Sequence, residues 1–180
     1  MEIWEPGMYR IQLRNMVQAV LRVPGNFTKN ILEMAIVIDA GAGKENVKAV
    51  SKETARCLKS LGEAFCNVRL NTIIWTGDCE IEKNVDGLSR LMTDAWYDRY
   101  EEVQQSKELA LLLEQLKKFY ARSKLVIFFA GGGFSIDEQR AAKALHPFLG
   151  RKMIWVFTDK EKGRCVECLP GFYPGRFIIT

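Results

Sequence analysis

Two glycine-bearing segments directly follow long apolar runs. Asp39-Ala40-Gly41-Ala42-Gly43-Lys44 comes after Leu32–Ile38, and Gly131-Gly132-Gly133-Phe134-Ser135 comes after Leu125–Ala130. Bare main chain offers N–H groups to an anion, so capture of a phosphate or carboxylate is the first chemistry to weigh. The first segment is not a nucleotide phosphate loop. That motif needs a glycine where Ile38 stands and Ser or Thr where Glu45 stands. A dinucleotide fingerprint needs a third glycine at Asn46, so two glycines in a tight strand-to-helix turn is the simpler reading. The run Gly131-Gly132-Gly133 leaves two explanations open: close approach by a ligand or another backbone, or several positions at positive φ. Ser135-x-x-Glu138 matches a capping box and predicts a helix over residues 135–146, stopped by Pro147.

Other candidate groups are sparse. Cys165 and Cys168 form the one Cys-x-x-Cys pair. A structural zinc site generally takes four ligands, and no second close pair is present, so two free thiols in a surface loop is the default against a zinc site at Cys165 and Cys168. His146, the single histidine, precedes Pro147 at a helix end, where a cation can cap carbonyls. Without a second histidine the usual zinc-hydrolase patterns do not arise. Asp39, Asp78 and Asp159 fall near strand ends, yet no nucleophile or acid–base pair accompanies them. Aromatic residues gather at Trp96, Tyr97 and Tyr100 and at Phe172, Tyr173 and Phe177, and read as core or flank packing.

The elements that must hold these groups follow from periodicity. Residues 8–22 carry an apolar stripe from Tyr9 to Leu21, which predicts an N-terminal helix docked on the core. Residues 44–65 show a stripe of Val47, Val50, Leu58, Leu61 and Phe65, an amphipathic crossover helix. The nearly unbroken apolar run at 32–39 reads as a central parallel strand covered on both faces, 125–130 as a buried strand, and 68–76 and 153–158 as further strands. Residues 79–85 alternate in polarity, as an antiparallel edge strand does. A short last strand is expected at 176–180 and an irregular loop before it. Thr93 and Ser106 are expected to cap two further helices. Strands alternating with helices predict an α/β domain with one doubly wound, mostly parallel six-stranded sheet, a single antiparallel edge strand and helices on both faces. Residues 1–30 form its helical extension and 31–180 the domain itself.

In element order and spacing, roughly residues 30 to 180 resemble a von Willebrand factor A-type domain. In that family a first strand ends in Asp-x-Ser-x-Ser, a loop supplies a threonine, a fourth strand ends in Thr-Asp-Gly, and these side chains hold a divalent ion. The matching positions are Asp39, Gly41 and Gly43, then Thr93, then the Gly131–Gly132 region. The resemblance implies a Rossmann-like fold that binds another protein, and a partner that is often an AAA+ ATPase. Glycine offers no side-chain oxygen, so one carboxylate and one hydroxyl are too few for Mg²⁺ or Mn²⁺, and the metal-dependent mode of binding is not expected.

The totals fit this reading. Hydrophobic residues at 48% and charged residues at 27% are ordinary for one globular domain of 180 residues. A formal charge of +4 is too small to imply nucleic acid. The first ten residues do not read as a secretory signal, and no run approaches the roughly 18 apolar residues of a membrane span, so a cytoplasmic protein without a membrane partner is expected. Two functions follow as expectations. One is a non-catalytic protein-binding or scaffolding domain without cofactor, acting through Asp39, Thr93 and the glycine loops. The alternative is an enzyme or sensor holding a phosphorylated small molecule over Gly131–Ser135.

Overall fold

The chain alternates strand and helix along its length, as a computed structural model shows for residues 5–21, 32–61, 68–77, 79–84, 87–98 and 107–180. In order, the elements are α1 (Pro6–Val20), β1 (Leu32–Asp39), α2 (Lys44–Lys59), β2 (Val68–Trp75), β3 (Cys79–Asn84), a 3₁₀ turn (Gly87–Met92), α3 (Asp94–Tyr97), α4 (Leu109–Phe119), β4 (Leu125–Ala130), α5 (Glu138–Leu145), α6 (Leu149–Lys152), β5 (Met153–Phe157), α7 (Lys160–Glu167) and β6 (Phe177–Ile179).

Five strands form a parallel sheet in the order β2-β1-β4-β5-β6. Cys79–Asn84 pairs antiparallel with β2 on its outer side, Leu70 opposite Asn84 and Trp75 opposite Cys79. The apolar runs are continuous because both faces of the sheet are covered. Along β1, alternate side chains enter different cores. Met34, Ile36 and Ile38 join Tyr9, Leu13 and Val17 of α1 and Val47, Val50 and Leu58 of α2. Ala35 and Val37 join Leu109, Leu112, Leu113 and Leu116 of α4 and Ala141 and Leu145 of α5.

The element ends differ from the sequence-based expectation where caps were misassigned. α4 starts at Leu109 with Glu108 as its N-cap, while Ser106 lies outside the described residues. α5 starts at Glu138, not Ser135, because Asp137 takes the capping role by accepting the Arg140 N–H. The helix expected over 44–65 is described to Lys59. The segment read as an irregular loop before the last strand contains α7, capped by Asp159.

Candidate functional site

The sheet reverses its strand order between β1 and β4. β2 lies beside β1 on one side, whereas the chain continues outward from β4 on the other. In open α/β sheets the crevice beyond such a reversal is where ligands bind. β1 ends in Asp39 and β4 ends in Ala130, so the two glycine loops meet there.

Their approach is close enough to dictate residue type. A Cβ on Gly131 would lie 2.6 Å from the Ala42 Cα, an overlap that only glycine avoids. Gly132 has φ +113°, a region that L side chains rarely adopt, and a Cβ there would stand 2.9 Å from the Asp159 Cβ. A Cβ added at Gly133 would meet nothing within 4 Å, and the residue is exposed. Of the two explanations left open for the triplet, close approach by another backbone is realised at Gly131, whereas positive φ is needed at Gly132 alone and not at several positions. Gly43, at φ +84°, turns the chain into α2.

Asp39 is the centre of this crevice, with its side chain fully buried. Its Oδ1 accepts the Gly41 N–H at 2.9 Å, and its Oδ2 accepts the Gly131 N–H at 3.0 Å. The third donor is the Lys107 ammonium, which pairs with Oδ1. Only 1% of the Lys107 side chain is exposed. The ammonium also donates to the Trp75 carbonyl at 3.3 Å and stands 4.5 Å from the centroid of the Trp75 ring. Carboxylate, carbonyl and ring face together compensate the desolvated charge.

The next residue fills the neighbouring site. Glu108 Oε2 accepts the Ala110 N–H at the start of α4 and the Asp137 N–H just before α5, both at 2.9 Å. Its Oε1 accepts the Ser135 hydroxyl at 3.0 Å. Main chain completes the union, since the Ser135 N–H donates to the Lys107 carbonyl at 2.8 Å and the Leu109 N–H to the Ser135 carbonyl at 3.0 Å. Consecutive residues thus supply a cation to Asp39 and an anion to the Ser135–Asp137 turn.

Asp39, Gly41, Gly131, Gly132 and Ser135 are therefore brought together. Thr93 is exposed, and its hydroxyl donates to the Arg90 carbonyl of its own turn. Asp159 caps α7, and Asp78 lies outside the described residues. Cys165 and Cys168 are exposed free thiols at the far end of α7. That is opposite to the helix start that activates redox pairs. Among the described residues, no group of three or more His, Cys, Asp or Glu side chains is placed to hold a metal ion. At the end of α5 the capping cation is Lys117, whose ammonium donates to the Lys143 and His146 carbonyls at 3.2 Å; the His146 ring was expected there. Tyr97 is fully buried and donates to the Leu91 carbonyl. Phe172 and Phe177 pack on the α4–α5 core, while Tyr100 lies outside the described residues.

Sequence reasoning missed Lys107 and Glu108. One signal was available. A lysine directly before a leucine-rich helix opposes the helix dipole, so another group must hold it. No family model matches the chain, and no curated protein matches it. Among the described residues, no helix is long and apolar enough to cross a membrane.

Proposed function

We propose that the chain is a non-catalytic protein-binding domain of the von Willebrand factor A type, in which the ammonium of Lys107 stands where relatives keep a divalent ion. The observation that carries this reading is the buried Lys107–Asp39 pair at the point where β1 and β4 end side by side. A fixed internal cation organises the Asp39 carboxylate and both glycine loops, so no metal is needed to shape the surface. In this reading the sheet is the six-stranded, mostly parallel one of that family, with Cys79–Asn84 as its antiparallel edge. The loop after β1, the Gly131–Ser135 loop and the turn at Thr93 form the docking face for another protein. An AAA+ ATPase is the partner class that the resemblance brings with it.

The alternative, a phosphorylated small molecule held over Gly131–Ser135, has less support. The N–H of Asp137 and the hydroxyl of Ser135 that would greet a phosphate already serve the Glu108 carboxylate. A phosphate would have to displace a ligand tethered in place.

The test is capture of partners from native extract on immobilised protein, with and without EDTA, beside a variant carrying Gly133→Arg. Gly133 is exposed and a Cβ there would enter open space, so the added side chain reaches solvent without disturbing the crevice. The expected result is a partner retained in EDTA and lost from the variant. Partner binding abolished by EDTA and restored by Mg²⁺ contradicts the proposal.

A further inference from the structure

The groove between α4 and α5 runs along the solvent side of the two helices, beginning one to two turns beyond the Ser135–Asp137 turn that Glu108 holds. It has a volume of about 350 Å³, walled by Ala144 and by the aliphatic stems of Glu114, Lys117, Lys118, Arg140 and Lys143. That space exceeds one leucine side chain. Arg140 neutralises Glu114 with two bonds, of 2.9 and 2.7 Å, so the lysines set the local charge.

Two exposed phenylalanines follow along the chain, Phe119 as the last residue of α4 and Phe148 shortly after α5. Phe119 is 63% exposed and Phe148 is 74% exposed, where a ring of this size is ordinarily covered. Both belong to one end of the molecule. Lys117 reaches from α4 to the His146 carbonyl, and Lys152 reaches back to the Ala121 carbonyl at 3.0 Å. Between Gln115 and Lys124, and again between Gln139 and Thr158, the chain has no acidic residue and eight basic ones. Glu33, near the same end, is taken by Arg69 at 3.2 Å. Burial first, and the Lys124 ammonium second, hold Lys152 below the usual lysine range. Among the described residues, the ion pair shown at this groove is Glu114–Arg140, which leaves its lysines in excess.

We propose that the α4–α5 groove, with Phe119 and Phe148 beside it, docks an acidic segment of a partner protein, an apolar side chain of that segment entering the groove while its carboxylates meet Lys118, Lys143 and Arg151. Charge complementarity selects an anionic occupant, and the aliphatic stems between the charged heads suit a peptide side chain better than a nucleic acid backbone. One side of the Phe119 ring already carries Lys118, 5.2 Å from its centroid, where a base would have to stack. A bilayer surface fits less well, because the apolar stripe of α4 from Leu109 to Leu116 is buried in the core and leaves only separate rings to insert. This surface is independent of the crevice at Asp39, and either proposal can fail without the other.

The experiment is fluorescence anisotropy with a labelled dodecapeptide rich in Asp and Glu and bearing one Leu. Oligo-dT and phosphatidylserine vesicles are run in parallel, and sedimentation of the protein alone is measured at low salt. Binding of the peptide that weakens with salt is expected, reduced about tenfold by Lys118→Glu with Lys143→Glu. A smaller loss is expected for Phe148→Ala, an exposed site where folding is not at stake. Circular dichroism checks that each variant is folded. Three results overturn the proposal: no peptide binding, oligo-dT or vesicles binding more tightly than the peptide, or salt-sensitive self-association that excludes it.

Discussion

Replacing Lys107 with alanine leaves the Asp39 carboxylate buried with two N–H donors and no counter-charge. Breaking one side of a buried ion pair is costly, so Lys107→Ala is expected to lose about 3–5 kcal/mol in urea denaturation. The double variant Lys107→Met with Asp39→Asn removes both charges and should be less destabilised than the sum of its single changes. Strict additivity in that cycle would show that the two side chains do not interact. Cys57 offers a second test at this scale. Its thiol donates to the Arg10 carbonyl at 3.7 Å, and burial pushes its pKa above the usual thiol range. The raised folded-state value means that the stability it contributes is present below the ordinary thiol range and is lost as pH rises through the folded value. Alkylation mapped by mass spectrometry at mildly alkaline pH should label exposed Cys165 and Cys168 well before Cys57. Equal rates at the three sites would contradict the burial. Asp39 was legible in the sequence as a carboxylate at the end of an apolar strand. Its partner was not, because Lys107 is far away in the chain and the two meet only when β4 and α4 close over β1.

At the level of elements, the strands were easy to read and the helix ends were not. Leu32–Asp39 and Leu125–Ala130 announce themselves as apolar runs because both faces of the sheet are covered. The caps went wrong where several polar residues crowd together. Ser135 looked like an N-cap, but its hydroxyl serves Glu108 and the Lys107 carbonyl, which passes the role to Asp137. α7 was hidden by Gly163, a poor helix former. A Cβ at that position would stand 2.3 Å from the Phe177 ring, so the glycine lets the helix settle on β6. The docking of α1 is testable through Tyr9, buried with its hydroxyl bonded to that of Thr54 on α2. Burial raises the Tyr9 phenol well beyond its ordinary range, which keeps it a neutral donor. Thr54 retains its bond to the Val50 carbonyl at 2.8 Å when the phenol is removed. Tyr9→Phe is therefore expected to cost only about 0.5–1.5 kcal/mol by thermal or urea melting. A loss of several kcal/mol would mean that α1 depends on this one bond.

For the molecule as a whole, strand order brings the two glycine loops together. Because β4 pairs with β1, the chain places residue 131 against residue 42 and closes a crevice that neither loop could form alone. The class of fold was legible from the alternation of strand and helix. What the crevice contains was not, since glycine at 41 and 43 signals only that a metal would be poorly held there, and says nothing of what neutralises Asp39. A bound ion would stabilise the folded state by mass action, by about 2.7 kcal/mol at a hundredfold excess over its dissociation constant. The most direct measurement is the melting temperature of the unmodified protein in EDTA compared with rising Mg²⁺ and Mn²⁺. With the Lys107 ammonium holding the Asp39 carboxylate, the melting temperature should be the same throughout. A saturable rise with either ion would contradict the account.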